Sequence, residues 1–120
     1  MINYQQILKS FLETVHEISD PSFQERVWVK GIGPECSSFE EAICIYFDYN
    51  ESIIKDYKLF GLSDLQLETL QEFDKKLRSF CDIVPEIVDE KKEILPNPEW
   101  HKIQHLAQNT LKTFDYKNTV

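Results

Sequence analysis

Apolar residues recur at spacings of three and four positions in three stretches of this sequence, and this helical period constrains the fold most. The first stretch covers residues 4–18 and is one-sided, as in an amphipathic helix. Asn3 precedes it as a predicted N-cap, since its side-chain oxygen can accept a free first-turn N–H. The residue before Pro21 is disfavoured in the α conformation, so we expect the helix to end there.

A second helix is predicted from a capping box, in which Ser38 is the cap and Glu41 reaches back to its N–H. Residues 42–47 that follow are apolar at every position. A helix that is apolar on all sides is usually buried, so we expect this one to be central and contacted from several directions. The polar residues 48–50 are expected to weaken it.

Two further helices are indicated by caps followed by apolar stripes. Ser63 and Gln66 form a second capping box before the stripe of residues 67–81. Asn97 and Pro98 supply a cap and a first-position proline before the stripe of residues 100–114. Each of these segments is therefore predicted to be an amphipathic helix.

Other segments leave alternatives open. Residues 23–29 are compatible with a short helix ended by a glycine, while residues 27–29 alone are equally compatible with a strand. The glycine-rich stretch that follows, up to Pro34, is predicted to be a loop. No conformation is assigned to residues 49–62, and residues 85–95 are predicted to be a loop with a short helical turn. The tail from Tyr116 is predicted to be frayed.

These elements predict an all-α fold, a single-domain helical bundle of four to six helices over residues 1–120. The chain length suits one domain, and 42% hydrophobic residues suffice for one core. No stretch is apolar enough to span a bilayer, and the first residues do not resemble a secretory signal. We therefore expect a cytoplasmic protein.

The negative charge of the chain is concentrated in its N-terminal half. The net charge is −8, and residues 10–54 contain nine acidic and two basic residues, a net charge of −7. No base lies between Lys30 and Lys55. Proteins that bind nucleic acid or anionic membranes directly normally carry the opposite sign, so we expect neither kind of partner. The acidic half either keeps the protein soluble or attracts a basic protein partner.

Cysteine and histidine residues offer little for catalysis. Cys36, Cys44 and Cys81 lack zinc-ligand spacing, and the last two are predicted to be small core residues. His101 and His105 are four positions apart, so a small metal-dependent enzyme is one alternative function. A zinc-protease motif would need a glutamate directly after the first histidine, where this chain has a lysine. We therefore expect surface histidines, no bound metal, no cofactor and no catalytic residue.

The acidic residues are the candidates for partner binding. Trp28 belongs either to this surface, as an aromatic anchor inside a polar rim, or to the core. A rival contact surface is the acid-rich stretch of residues 82–93. The predicted partner-binding set is Glu13, Glu17, Trp28, Glu35, Glu40, Glu41, Asp48 and Glu51.

The sequence also resembles the small immunity proteins of bacterial contact-dependent growth inhibition and related polymorphic toxin systems. The resemblance rests on residues 23–28, residues 33–42 and the helix start at residues 97–100, and it includes no catalytic motif. It implies a cytoplasmic, non-enzymatic protein that binds one cognate toxin tightly. Many such toxins are nucleases, which are basic because they hold phosphates, so an acidic inhibitor complements them. The remaining alternative is a general adaptor domain without a toxin partner.

Overall fold

The computed structural model describes residues 3–84 and 88–116. In these ranges the chain forms five α-helices: α1 (Tyr4–Ser19), α2 (Pro21–Phe23), α3 (Phe39–Lys55), α4 (Asp64–Ile83) and α5 (Pro98–Thr113). It also forms two π-helical segments: π1 (Gln24–Val29) and π2 (Glu90–Ile94). The described residues contain no strand, so the all-α prediction is confirmed. No helix in the described ranges combines the length and apolar character needed to cross a bilayer.

The predicted caps begin the long helices. The side chain of Asn3 accepts the N–H of Gln6 at 3.0 Å, and Asn97 caps α5 in the same way. Ser63 forms a complete capping box with Gln66. Ser38 accepts the N–H at the third position of α3, without the reciprocal bond that a full box requires. These local bonds satisfy backbone donors that no helical turn can reach.

The four long helices surround one hydrophobic core. α1 packs against α3 and α5, α4 packs against α5, and α3 touches α4. The largest fully buried side chains come from all four of these helices and include Phe11, Tyr46, Phe73 and Trp100. The segments π1 and π2 also pack against each other. Because each stripe lies along one side of its helix, four helices suffice to enclose the apolar residues.

The prediction that α3 is contacted on several sides is wrong. Only one side of the helix is buried, through residues that include Ala42, Tyr46 and Ile53. Cys44 is exposed, contrary to the predicted core position, and Ile45 is 41% exposed. An unbroken apolar run removes the periodicity that would have shown which side faces solvent. Cys81 is half-buried as expected of a core-facing thiol, and burial raises its pKa to about 11.

The polar residues 48–50 do not end α3, which continues to Lys55. Asn50 is fully buried, and its amide donates to Asp74 at 2.6 Å. The hydroxyl of Tyr46 donates to the same carboxylate oxygen at 2.7 Å. Arg78 donates to the other carboxylate oxygen of Asp74 at 2.8 Å. A polar group that finds partners on a neighbouring helix can be buried without ending its own helix.

The segment after α1 is helical, so the strand alternative is wrong. Asp20 caps α2 by accepting the N–H of Phe23, and Pro21 occupies the first position, where no N–H is needed. The chain then widens into π1, in which the N–H of Lys30 bonds the carbonyl of Glu25 at 3.1 Å. The loop predicted next begins at Gly31, whose φ of 63° suits glycine.

One side chain of π1 joins distant parts of the core. The amide nitrogen of Gln24 donates to the carbonyls of Glu17 and Ile18, each at 2.8 Å. Its amide oxygen accepts the indole N–H of Trp100 at 2.9 Å and the amide of Gln104 at 2.8 Å. Gln24 is fully buried, and all of its hydrogen-bonding capacity is used. This network links the end of α1 to α5.

The remaining predictions concern the charge-dense segment and the tail. Residues 85–87 and 117–120 lie outside the described residues, so a frayed tail beyond Tyr116 stays a prediction. The predicted helical turn within residues 85–95 corresponds to π2. Tyr116 itself lies just after α5 and is held against the helix end, since its N–H bonds the carbonyl of Leu111 at 3.1 Å.

Candidate functional site

Several of the predicted acidic residues surround one groove between α1 and α3. The groove has a volume of about 320 Å³, and we call it the acidic groove. Four of its lining residues belong to the predicted partner-binding set: Glu13, Glu17, Glu35 and Glu41. The other lining residues are His16, Phe23, Cys36, Ser37, Ile45 and Tyr116.

Helix geometry brings three of these carboxylates together. Glu13 and Glu17 are four positions apart, so they project from the same side of α1. Glu41 lies in the first turn of α3, where the positive end of the helix dipole favours a negative charge. The packing of α1 on α3 then places the carboxylates of α1 opposite the start of α3. None of the three forms an ion pair with any residue in the described ranges.

The fourth carboxylate is neutralised by its own neighbour. Both oxygens of Glu35 accept from the guanidinium of Arg26, at 2.7 and 2.8 Å. These charge-assisted bonds lower the pKa of Glu35 to about 2. Arg26 also donates to the carbonyl of Ile32, which holds the loop against π1. Gly33 in this loop has a φ of 111°, a conformation that residues with a side chain rarely adopt, so glycine is favoured there.

Glu17 is the carboxylate of the acidic groove whose pKa is raised. Burial is the main cause that raises its pKa, and the charges of Glu41 and Glu13 raise it further. The Ser37 hydroxyl and the adjacent His16 partly offset these effects. Ser37 in turn accepts the indole N–H of Trp28 at 3.3 Å. The groove therefore holds negative charge that the described residues do not fully compensate.

The wall of the groove is completed by the end of α5. The N–H of Asp115 bonds Lys112 and that of Tyr116 bonds Leu111, with Asp115 at a φ of 53°. This is a Schellman motif, which directs the chain back across the helix end. The Tyr116 ring consequently lies 5.7 Å from the ring of His16 on α1. Burial and the charge of Glu13 raise the pKa of Tyr116.

The other predicted site residues lie elsewhere. Trp28 is only 7% exposed and packs against the rings of Trp100 and Phe39, so the core alternative is correct and it cannot anchor a partner in this conformation. Glu40 and Asp48 are exposed on α3 but do not line the groove. Glu51 lies 3.6 Å from Arg78 of α4, which partly neutralises it.

Sequence reasoning missed the uncharged residues of the site. The prediction that residues 42–47 are contacted from several directions does not single out Ile45, and no motif marks Ser37 or Tyr116. Another exposed apolar residue on α3 is Tyr49, at 37% exposure and one helical turn from Ile45. Glu41, Ile45 and Tyr49 are each four positions apart, which places them on the same side of a helix. This spacing is the sequence signal that indicates a shared surface.

The two histidines of the metal alternative lie on the surface of α5, as expected. Nε2 of His101 lies 2.6 Å from the carbonyl of Leu95 and donates to it. Across residues 3–84 and 88–116, no three His, Cys, Asp or Glu side chains are grouped as metal ligands. The metal alternative therefore lacks a ligand set in this part of the chain. Comparison of the chain with protein-family models, curated proteins and solved structures found no match to any of them.

Proposed function

We propose that this chain is an immunity protein of a bacterial contact-dependent growth inhibition system. It acts in the cytoplasm by binding and neutralising a cognate toxin, a basic domain for which a nuclease is the favoured activity. The acidic groove and the adjoining acidic side of α3 form the binding surface. The chain performs no chemistry in this role and needs no cofactor.

The observation that carries the proposal is the convergence of Glu13, Glu17 and Glu41 without an ion-pair partner among the described residues. If these carboxylates served only solubility, their proximity would not be needed and would cost stability, because like charges at short range repel. A cationic side chain entering the groove relieves that repulsion and the raised pKa of Glu17. Close charge pairs across an interface can contribute about 1.5–7 kcal/mol of coupling energy.

Exposed apolar residues next to the groove supply the second part of an interface. Ile45 and Tyr49 lie on the same side of α3 as Glu41, at spacings of one helical turn. An aromatic and an aliphatic anchor within an acidic rim is a common composition for a protein interface. These two residues replace Trp28 as the proposed anchors.

The rival surface around residues 82–93 fits a basic partner less well. Lys91 and Lys92 lie in π2 beside the acidic residues of that segment and are exposed. Their charges oppose those of Asp82 and Asp89, so the described part of this region is mixed in sign. Electrostatic steering depends on a field of one sign, which favours the acidic groove.

The proposal is tested with the protein encoded directly upstream, whose C-terminal domain is the expected toxin. The variant Glu13→Gln/Glu17→Gln/Glu41→Gln removes three charges from the groove. We expect its affinity for that domain to fall about 10²–10⁴-fold by calorimetry, and protection of toxin-expressing cells to be lost. Its salt dependence should also be shallower than that of the wild type.

A matched control removes three exposed charges that lie outside both the acidic groove and residues 82–93: Asp56→Asn, Glu68→Asn and Glu72→Gln. This control should keep affinity within about threefold, because distant surface charges contribute little to a specific contact. Equal losses in both variants would show that only net charge matters and would reject the groove. If the upstream protein neither binds nor inhibits growth, the immunity function itself is wrong and the adaptor alternative is favoured.

A further inference from the structure

A second groove runs between α4 and α5, on residues that the proposed function does not use. Its volume is about 980 Å³. The two helices are antiparallel here, because Gln66 near the start of α4 bonds the carbonyl of Thr113 near the end of α5. Lys76, further along α4, pairs with Glu99 at the start of α5 at 3.4 Å. We call this feature the α4–α5 groove.

The floor of the α4–α5 groove is apolar. Phe80 and Ile103 belong to the core, and Leu106 is half-buried against it. Ile83, at the end of α4, lines the groove and is 70% exposed. The volume is at the upper end of the ~300–1,000 Å³ range of small-molecule sites.

The rim of the groove is cationic although the chain as a whole is acidic. Its lysines are Lys75, Lys76 and Lys102, and both histidines of α5 also line it. The acidic lining residues are Glu72 and Glu99. Glu99 is shared by Lys76 and Lys102, whereas Lys75 forms no ion pair with any residue of the described ranges. The antiparallel register places Lys75 and Lys102 at the same level, on opposite sides of the groove.

We propose that the α4–α5 groove binds a small anionic amphiphile, a carboxylate with an unbranched apolar chain. The carboxylate lies between Lys75 of α4 and Lys102 of α5, which both line the groove. The apolar chain lies along Leu106 and Ile83, which line the groove and are still in contact with water. This inference does not depend on the proposed immunity function.

The experiment titrates the full chain with decanoate, and measures affinity by calorimetry and amide shifts by NMR. We expect saturable 1:1 binding with shifts confined to α4 and α5. Lys75→Glu and Ile83→Asp should each weaken binding at least about tenfold, because one repels the carboxylate and the other removes apolar contact. Decyltrimethylammonium, with the same chain and the opposite charge, should not bind.

Matched controls are Lys9→Glu on α1 and Leu65→Asp at the other end of α4, which are both exposed and outside the groove. Both should bind decanoate like the wild type, and thermal melting checks that all variants fold. Absence of saturable binding, equal binding of the cationic chain, or unchanged affinity in Lys75→Glu would overturn the proposal. Binding of an acidic amphipathic peptide without decanoate binding would also overturn it, since the occupant would then be a protein.

Discussion

The acidic groove and the α4–α5 groove both contain glutamates, yet the pKa values of Glu17 in the first and Glu99 in the second are shifted in opposite directions. The pKa of Glu17 in the acidic groove is raised, mainly by burial, with nearby carboxylates adding to the shift. The pKa of Glu99 in the α4–α5 groove is lowered, because Lys102 and Lys76 donate to it. The difference teaches that the number of acids does not identify a binding surface. What matters is whether the fold supplies each acid with a cation.

Gln24 links α1, which carries Glu17, to α5, which carries Glu99, and its removal has the largest expected effect. Gln24→Leu removes the partner of the Ile18 carbonyl, of the indole N–H of Trp100 and of the Gln104 amide, all of them buried. The carbonyl of Glu17 keeps its bond from the N–H of Asp20. We expect a loss of about 3–4 kcal/mol in the free energy of unfolding, measured by urea denaturation.

The control for this prediction is Gln108→Leu. Gln108 is exposed and donates to the carbonyl of Ser19 at 3.0 Å, also at the end of α1. Because water can replace that bond, we expect a loss below about 1 kcal/mol. Similar losses in the two variants would mean that the buried network contributes no more than a surface contact.

Adjacent glutamates of α3 sharpen the comparison between the groove and its surroundings. Glu40→Lys and Glu41→Lys change the same charge in the same helical turn, but only Glu41 lines the acidic groove. We expect Glu41→Lys to weaken toxin binding about 10–100-fold, mainly through the association rate. Glu40→Lys should weaken it less than about fivefold, and surface plasmon resonance at several salt concentrations measures both. Equal effects would show that long-range charge, not the groove, directs binding.

The end of α5 offers a stabilising substitution next to the groove. Asp115 adopts a φ of 53°, which an L residue with a side chain disfavours. Asp115→Gly should raise the free energy of unfolding by about 0.5–1 kcal/mol, because glycine adopts this conformation without strain. Asp115→Ala tests the reason, since it removes the same carboxylate but keeps the Cβ. A gain in Asp115→Ala equal to that of glycine would assign the effect to charge instead.

The smallest effects concern pH. The pKa of Glu17 is higher in the folded protein than its ordinary value of 4.5, so at pH values above 4.5 the charge of Glu17 destabilises the fold. Glu17→Gln should therefore have a higher melting temperature than the wild type at neutral pH. The difference should be within about 2 °C, because solvent screens a half-buried carboxylate, and it should vanish as pH falls through the raised pKa to below 4.5.

Glu99→Gln gives the opposite sign in the same melting experiment. A lowered pKa means that ionised Glu99 stabilises the fold above 4.5, and that this contribution is lost as pH falls below that value. The variant should therefore melt lower than the wild type at neutral pH and converge with it in acid. Shifts of the same sign in both variants would contradict the contrast between the two grooves.

Much of the fold could be predicted from local signals. The caps at Asn3, Ser63 and Asn97 begin helices at the expected positions, because capping depends on residues within one turn. Local signals failed in α3, where a continuous apolar run obscured the exposed position of Cys44. They also could not decide whether Trp28 is buried, because its burial depends on packing against Trp100 and Phe39, which are distant in the sequence.

The sequence by itself determined where the helices begin, that the fold is helical, and that residues 10–54 carry most of the negative charge. Only the tertiary structure decided which acids meet. Helical periodicity assigns Glu17 and Glu41 each to a side of its own helix, but the packing of α1 on α3 brings those sides together. The bond between Gln24 and Gln104 spans 80 positions for the same reason. Such contacts depend on how helices pack, which no short stretch of sequence specifies.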